Sequence, residues 1–145
     1  MLKSFWFWTV VVMVMIQFIS MNISAKLPTN QSEEIQAPKE IMTILKNSCY
    51  DCHSSDVKEP WYYNLAPISW IVQIHIKDGR EVVNFSKWNS YSKEKQFKVV
   101  DKLAKSIVIR MPMPSYLWLH PEAKLLTSEK KLLKEWAKAL KEEVK

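Results

Sequence analysis

Glycine is almost missing from this 145-residue chain, in which Gly79 stands alone. Phosphate-cradling loops and dinucleotide fingerprints need several glycines to let the backbone approach a phosphate, so both are excluded. Cysteine is nearly as scarce: only Cys49 and Cys52 occur, and the histidines besides His53 are His75 and His120, far apart in sequence. A structural zinc site needs two more ligands at close spacing, and a redox-active dithiol usually sits in a thioredoxin-like βαβ pattern. Neither accompanies the pair. There is no internal repeat, and period-two alternation is limited to a few residues near Val82 and Val83, which points away from a sheet.

What is present starts with Cys49-Tyr50-Asp51-Cys52-His53. Two cysteines three apart with a histidine directly behind the second is the spacing of a covalent c-type haem attachment site. Each thiol adds to one vinyl group of the same porphyrin, so the sulfurs must reach neighbouring edges of one ring. The imidazole then meets the iron from the same face, and His53 is the expected proximal ligand. One covalently attached haem is the cofactor this predicts; zinc, a redox dithiol and a plain disulfide or buried pair are the rival readings.

The N-terminus points to export. Lys3 precedes an uncharged apolar run from Phe5 to Ile19, followed by a polar stretch ending Ser24-Ala25-Lys26. A spanning helix needs about 20 apolar residues, and this run is shorter. Ile23, two residues before Ala25, makes a mediocre cleavage context, so a cleaved signal peptide and a retained membrane anchor both stay open. Either places the main domain outside the cytoplasm, periplasmic and soluble or tethered to the inner membrane. The expected organisation is residues 1–25 as signal or anchor, 26–38 as a polar linker and 39–145 as one small haem-binding domain.

That domain reads as all-α. Ile41, Ile44, Leu45 and Ser48 lie at helical spacing ahead of Cys49, so a first helix should carry the motif at its C-terminal end. Pro67 opens a second, with Trp70, Ile71 and Ile74 on one face and a stop at Asp78-Gly79. The third has Ser92 as cap, a stripe from Phe97 through Val100, Leu103 and Ala104 to Ile107 and Val108, and Pro112 past its end. A fourth begins near Thr127 and shows Leu132, Leu133, Trp136 and Leu140 on one side, with lysines opposite. The result is a small cytochrome c-like helical domain with long aromatic-rich loops.

A second axial ligand is sought among Met111, Met113 and His120. A methionine just outside a helix and held by proline is well placed, and Met111-Pro112-Met113-Pro114 offers two. The bland alternative is that both only pack, as methionine usually does. Trp61, Trp70 and Trp88 are the aromatics expected to wall a haem pocket, against the reading that they merely fill a core. Arg80 could pair with a haem propionate in two-pronged fashion or lie solvated on the surface, and His75 is read as structural.

From the first helix to Trp136 the order of motifs resembles a family of small exported bacterial haem-binding domains, c-type cytochrome-like. The likeness rests on Cys49 to His53; on Pro60-Trp61-Tyr62, Pro67 and Trp70; on Gly79-Arg80, Asn84-Phe85-Ser86 and Trp88; and on Met111-Pro112 with Pro114-Ser115-Tyr116 and His120. It implies Met111 as the methionine of the family's Met-Pro element and adds Tyr116 to the haem-contacting set. Ile109-Arg110 depart from the glycine and acidic residue usual at that place.

The function expected is single-electron transfer with no substrate and no catalytic residue. The alternative is a haem-based sensor or peroxidase-like enzyme with an open sixth site, and a weaker third option is an accessory subunit of a membrane partner. The net charge of +6 is concentrated in lysines of the C-terminal helices, a solvated face that can also steer an acidic redox partner. Nucleic acid is not an expected partner.

Overall fold

Helices supply the regular structure throughout the computed structural model, which describes residues 2–19, 21 and 23–145. They are α1 (Leu2–Ile16), α2 (Lys39–Ser48), α3 (Tyr50–His53), α4 (Ile68–Val82), α5 (Lys93–Ile109), α6 (Pro114–Leu117) and α7 (Thr127–Glu143). Short 3-10 turns lie at Gln31–Glu33, Phe85–Ser90 and Pro121–Ala123. Among the described residues there is no strand beyond a lone antiparallel bridge between Lys26 and Asp56. The all-α expectation holds, and the alternation near Val82 and Val83 is only the end of α4 and its cap.

Local chemistry sets most helix ends. Ser92 accepts a hydrogen bond from the Lys95 N–H and so satisfies one orphan donor at the start of α5. At its far end α5 stops before Met111-Pro112, since proline cannot donate into a helix and constrains the residue ahead of it. The Glu129 carboxylate accepts from the Leu126 N–H at 2.7 Å and opens α7.

Two hydrophobic clusters hold the body together. The larger joins α2, α5, α7 and the Phe85–Ser90 turn around fully buried Leu45 and Leu133. Here α7 runs back along α5, so that Lys141 near its C-terminus reaches Asp101 and lies over the Phe97 ring. Burying each large aliphatic side chain there contributes about 1.5–3 kcal/mol. The smaller cluster is Ala25, Val57, Tyr63 and Ile76, with Cys52 and Val72 against it.

Several sequence expectations are corrected. Helix α4 does not stop at Asp78-Gly79 but continues through Gly79 to Val82. Its inward face is Ser69, Gln73 and Ile76, while Ile71 and Ile74 point outward, and inside Gln73 accepts from the Ile23 N–H and donates to Tyr63 O. The 26–38 stretch is not a free linker: Leu27 N–H donates to Ser55 O, Ile35 N–H donates to Phe85 O, and Ile35 is buried in the larger cluster. The packed body therefore begins before Lys26. Among the described residues no helix is long and apolar enough to cross a membrane.

Candidate functional site

The two cysteines lie where the clusters meet. Helix α2 ends at Ser48, and Cys49 (φ −128°) breaks the helix before the single turn of α3 carries Cys52 and His53. The Cys49 N–H still donates to Leu45 O at 2.9 Å, and the Cys49 carbonyl accepts from Cys52 at 3.2 Å and His53 at 2.9 Å. One turn thus gathers both thiols and the imidazole, although the motif straddles a break rather than ending one continuous helix. Cys49 packs on the larger cluster and Cys52 on the smaller; neither is in a disulfide.

Burial pushes the Cys49 thiol up to about 12, helped by Cys52, and the Cys52 thiol up to about 11. Both are neutral near pH 7. A redox dithiol needs the opposite, a stabilised thiolate, so the arrangement disfavours that rival. Among the described residues no group of three or more His, Cys, Asp or Glu is arranged to hold a metal ion, which leaves the thiols without the further donors of a structural zinc site.

His53 is oriented from behind. Its Nδ1 lies 2.9 Å from Gly79 O and 3.1 Å from Val83 O, and since carbonyls only accept, Nδ1 carries the proton. Nε2 is then the nitrogen with the free lone pair, which is how a ligating histidine is held by outer hydrogen bonds. Burial lowers the His53 pKa, opposed by those two bonds, and keeps the ring neutral. The approach of α4 that brings these carbonyls depends on Gly79, where a Cβ would stand 2.7 Å from Cys52 O. The single glycine of the chain is spent on this crossing.

A polar layer clamps the loop after His53. Arg80 Nε donates to Ser54 O at 2.7 Å, and its other nitrogens donate to Ser24 O and Ala25 O. Asn84 donates to the Ser55 hydroxyl at 2.8 Å and accepts from the Ser86 N–H, while the Ser55 N–H donates to the Ser86 hydroxyl. Arg80 sits beside the motif neither solvated nor unpartnered: its donors brace the backbone of Ser24, Ala25 and Ser54.

On the other side Tyr116, in α6, donates to the Asp51 carboxylate at 2.6 Å, and burial together with Asp51 holds the phenol protonated. Its ring stacks on His120 at 4.4 Å. His120 Nδ1 meets the Glu122 carboxylate at 3.0 Å, so that nitrogen donates, and Nε2 accepts from the Tyr62 hydroxyl at 2.5 Å. Asp51, Tyr116, His120 and Glu122 line a cleft of about 340 Å³ that Lys46 and Lys58 also border.

The predicted residues divide accordingly. Cys49, Cys52, His53 and Tyr116 come together, and Arg80 adjoins them. Met111 and Met113 are half-buried on the turn between α5 and α6, and what ties that turn to the motif is the Tyr116 bond. His120 has both ring nitrogens engaged. Trp88 is 4% exposed in the larger cluster, Trp61 is 78% exposed against Tyr62, and the Trp70 indole donates to Ile19 O, so the three tryptophans do not wall one pocket. Half-buried His75 sits on α4 without a part in the site. The reading of the sequence gave Asp51 no role and counted Tyr62 only among the aromatics; Asp51 was in plain view inside the motif, but its partner lies 65 positions away.

A family model described as a haem-binding domain matches residues 11–139. No curated protein and no solved structure matches the chain.

Proposed function

Because the chain belongs to the haem-binding domain family, we propose that it holds one haem covalently through Cys49 and Cys52, with His53 as axial ligand, and passes single electrons outside the cytoplasm. The observation that carries the reading is the state of the three side chains: two neutral thiols on one helical turn beside an imidazole whose Nδ1 is fixed by Gly79 O and Val83 O. They fit the group in number, order and protonation. A bound haem supplies a one-electron iron couple whose potential the protein tunes through ligands, burial and outer hydrogen bonds.

The chain's own residues then have separable tasks. Gly79 and Val83 orient His53, and Arg80 with Asn84 and Ser86 holds the loop behind it. Tyr116 secures the segment from which Met111 is offered as second ligand. The lysines of α5 and α7 present a basic face to an acidic redox partner. The polar cleft at Asp51, Tyr116 and His120 favours the second reading, an open sixth site serving a sensor or peroxidase-like reaction.

Mass spectrometry and a pyridine haemochrome spectrum of the exported protein test the proposal. The expected result is the peptide plus one haem, two thioether links, and loss of colour in Cys52→Ala. A colourless product at bare peptide mass, made with a working maturation apparatus, overturns it. Slow carbon monoxide binding by the ferrous protein that becomes rapid in Met111→Ala supports carriage, whereas rapid binding by the unaltered protein supports the open site.

A further inference from the structure

Two stretches of this chain carry no Asp, Glu, Lys or Arg over an unusual length: the one between Lys3 and Lys26 and the one between Glu59 and Lys77. The fold brings them together. Gln17, just past α1, donates to Ala66 O at 3.0 Å and accepts from the Ala66 N–H at 3.0 Å. Trp70 donates to Ile19 O at 2.8 Å, and the Tyr63 hydroxyl donates to Ile23 O at 2.6 Å. The apolar helix α1 is thereby fastened to the N-terminal end of α4.

The outward face of α4 changes character along its length. Near the junction it shows Ile68, Ile71 and Ile74, with Leu65 in the loop before it, all exposed; Ile71 is 57% open. One turn further on the same side presents Asp78 and Glu81. The exposed isoleucines near the junction thus form one apolar patch with the exposed helix α1, bounded by Asp78 and Glu81 before exposed Val82 at the far end of α4, and an apolar patch continuous with an apolar helix and rimmed by carboxylates suits a lipid surface.

The junction also bears on whether the N-terminal segment is removed. Ala25 is 4% exposed within the smaller cluster, its carbonyl accepts from the Val57 N–H and from Arg80, and Ser24 O takes another Arg80 donor. Cleavage after Ala25 would strip these partners from the half-buried Arg80 guanidinium and Ala25 from the cluster that Cys52 packs against. Residues 23–25 are part of the body, not a leader hung before it.

We propose that α1 is retained as a membrane anchor and seats the N-terminal half of α4, through Leu65, Ile68, Ile71 and Ile74, on the surface of a phospholipid bilayer. At 1.5 Å per residue α1 is about 22 Å long, less than the roughly 30 Å hydrocarbon core, so a bilayer that holds it as an anchor must thin locally around it. The proposal deepens the export reading, on which it rests, and is independent of the haem.

The test uses the full chain in phosphatidylcholine–phosphatidylglycerol vesicles, with a lipid-partitioned diazirine photolysed to a carbene and the modified residues mapped by mass spectrometry. The expected result is modification of α1 and of residues 65–74, with Ile109, at 76% exposure an internal control, left unmodified. In the double variant Ile71→Asp, Ile74→Asp the labelling of 65–74 drops to that of Ile109 while α1 stays labelled. Labelling confined to α1 would mean a simple tether and overturn the docking face. Equal labelling of Ile109 would do the same. An exported product whose mass begins near Lys26 would overturn retention, and absence of label from α1 as well would bring down the anchor reading with it.

Discussion

The two hydrophobic clusters on either side of the cysteines are built differently. The larger is assembled from regular helical stripes on α2, α5 and α7, with Leu133 fully buried, and it is stabilised chiefly by apolar area removed from water. The smaller has four buried members and depends on a mesh of hydrogen bonds from Arg80, Gln73, Tyr63 and the Ser55–Ser86 pair. One region resists unfolding through area; the other keeps a fixed geometry through directional bonds. The motif has one thiol in each, so a rigid mount for His53 is tied to a stable body.

Substitutions can separate the two. The largest effect is expected from Leu133→Ala, a loss of about 2–5 kcal/mol of unfolding free energy from a site with no exposure, read by urea titration. It should lower stability while leaving the haem stoichiometry of the folded fraction unchanged. Gly79→Ala acts in the other region and reverses the usual sign. Alanine in a helix interior ordinarily gains about 1 kcal/mol over glycine, but here the methyl would meet Cys52 O at 2.7 Å. The expectation is a net loss of about 1–3 kcal/mol with reduced haem incorporation. A more stable Gly79→Ala protein with full haem content would show that α4 need not press against the motif.

The smallest effect belongs to Asp101→Asn, at the α5–α7 seam. The Lys141 ammonium holds the Asp101 carboxyl below the usual carboxylate range, and the exposed pair is screened by solvent. Because the folded value is depressed, the contribution is present above the ordinary carboxylate pKa and disappears as pH falls through the folded one. The thermal midpoint of Asp101→Asn should therefore lie slightly below that of the unaltered protein at pH 7 and merge with it in acid. A difference that persists or grows in acid would place the effect outside this ion pair.

Legibility in the sequence followed chain distance. The start of α4 after Pro67, the Ser92 cap, the end of α5 before Pro112 and the gathering of Cys49, Cys52 and His53 on one turn were readable because each depends on neighbours within a few residues. The inner face of α4 was misread: Ile71 and Ile74 had the better pattern, yet Ser69 and Gln73 went inside, and Gln73 serves a segment 50 positions away. Arg80 was placed beside the site, but its partners were not foreseeable, since Ser24 and Ala25 belong to a stretch that reads as a leader. The tryptophans were grouped by sequence density, which says nothing about which side of a helix they leave from.

What the sequence by itself determined is the helical content, most helix ends and the trio Cys49, Cys52 and His53, because capping, proline restriction and motif spacing all act within one or two turns of chain. Only the tertiary structure decided which nitrogen of His53 is free, why the sole glycine stands where α4 crosses α3, and that residues 23–38 belong to the body. Those features rest on hydrogen bonds and close approaches between segments far apart in the chain, which no local pattern encodes.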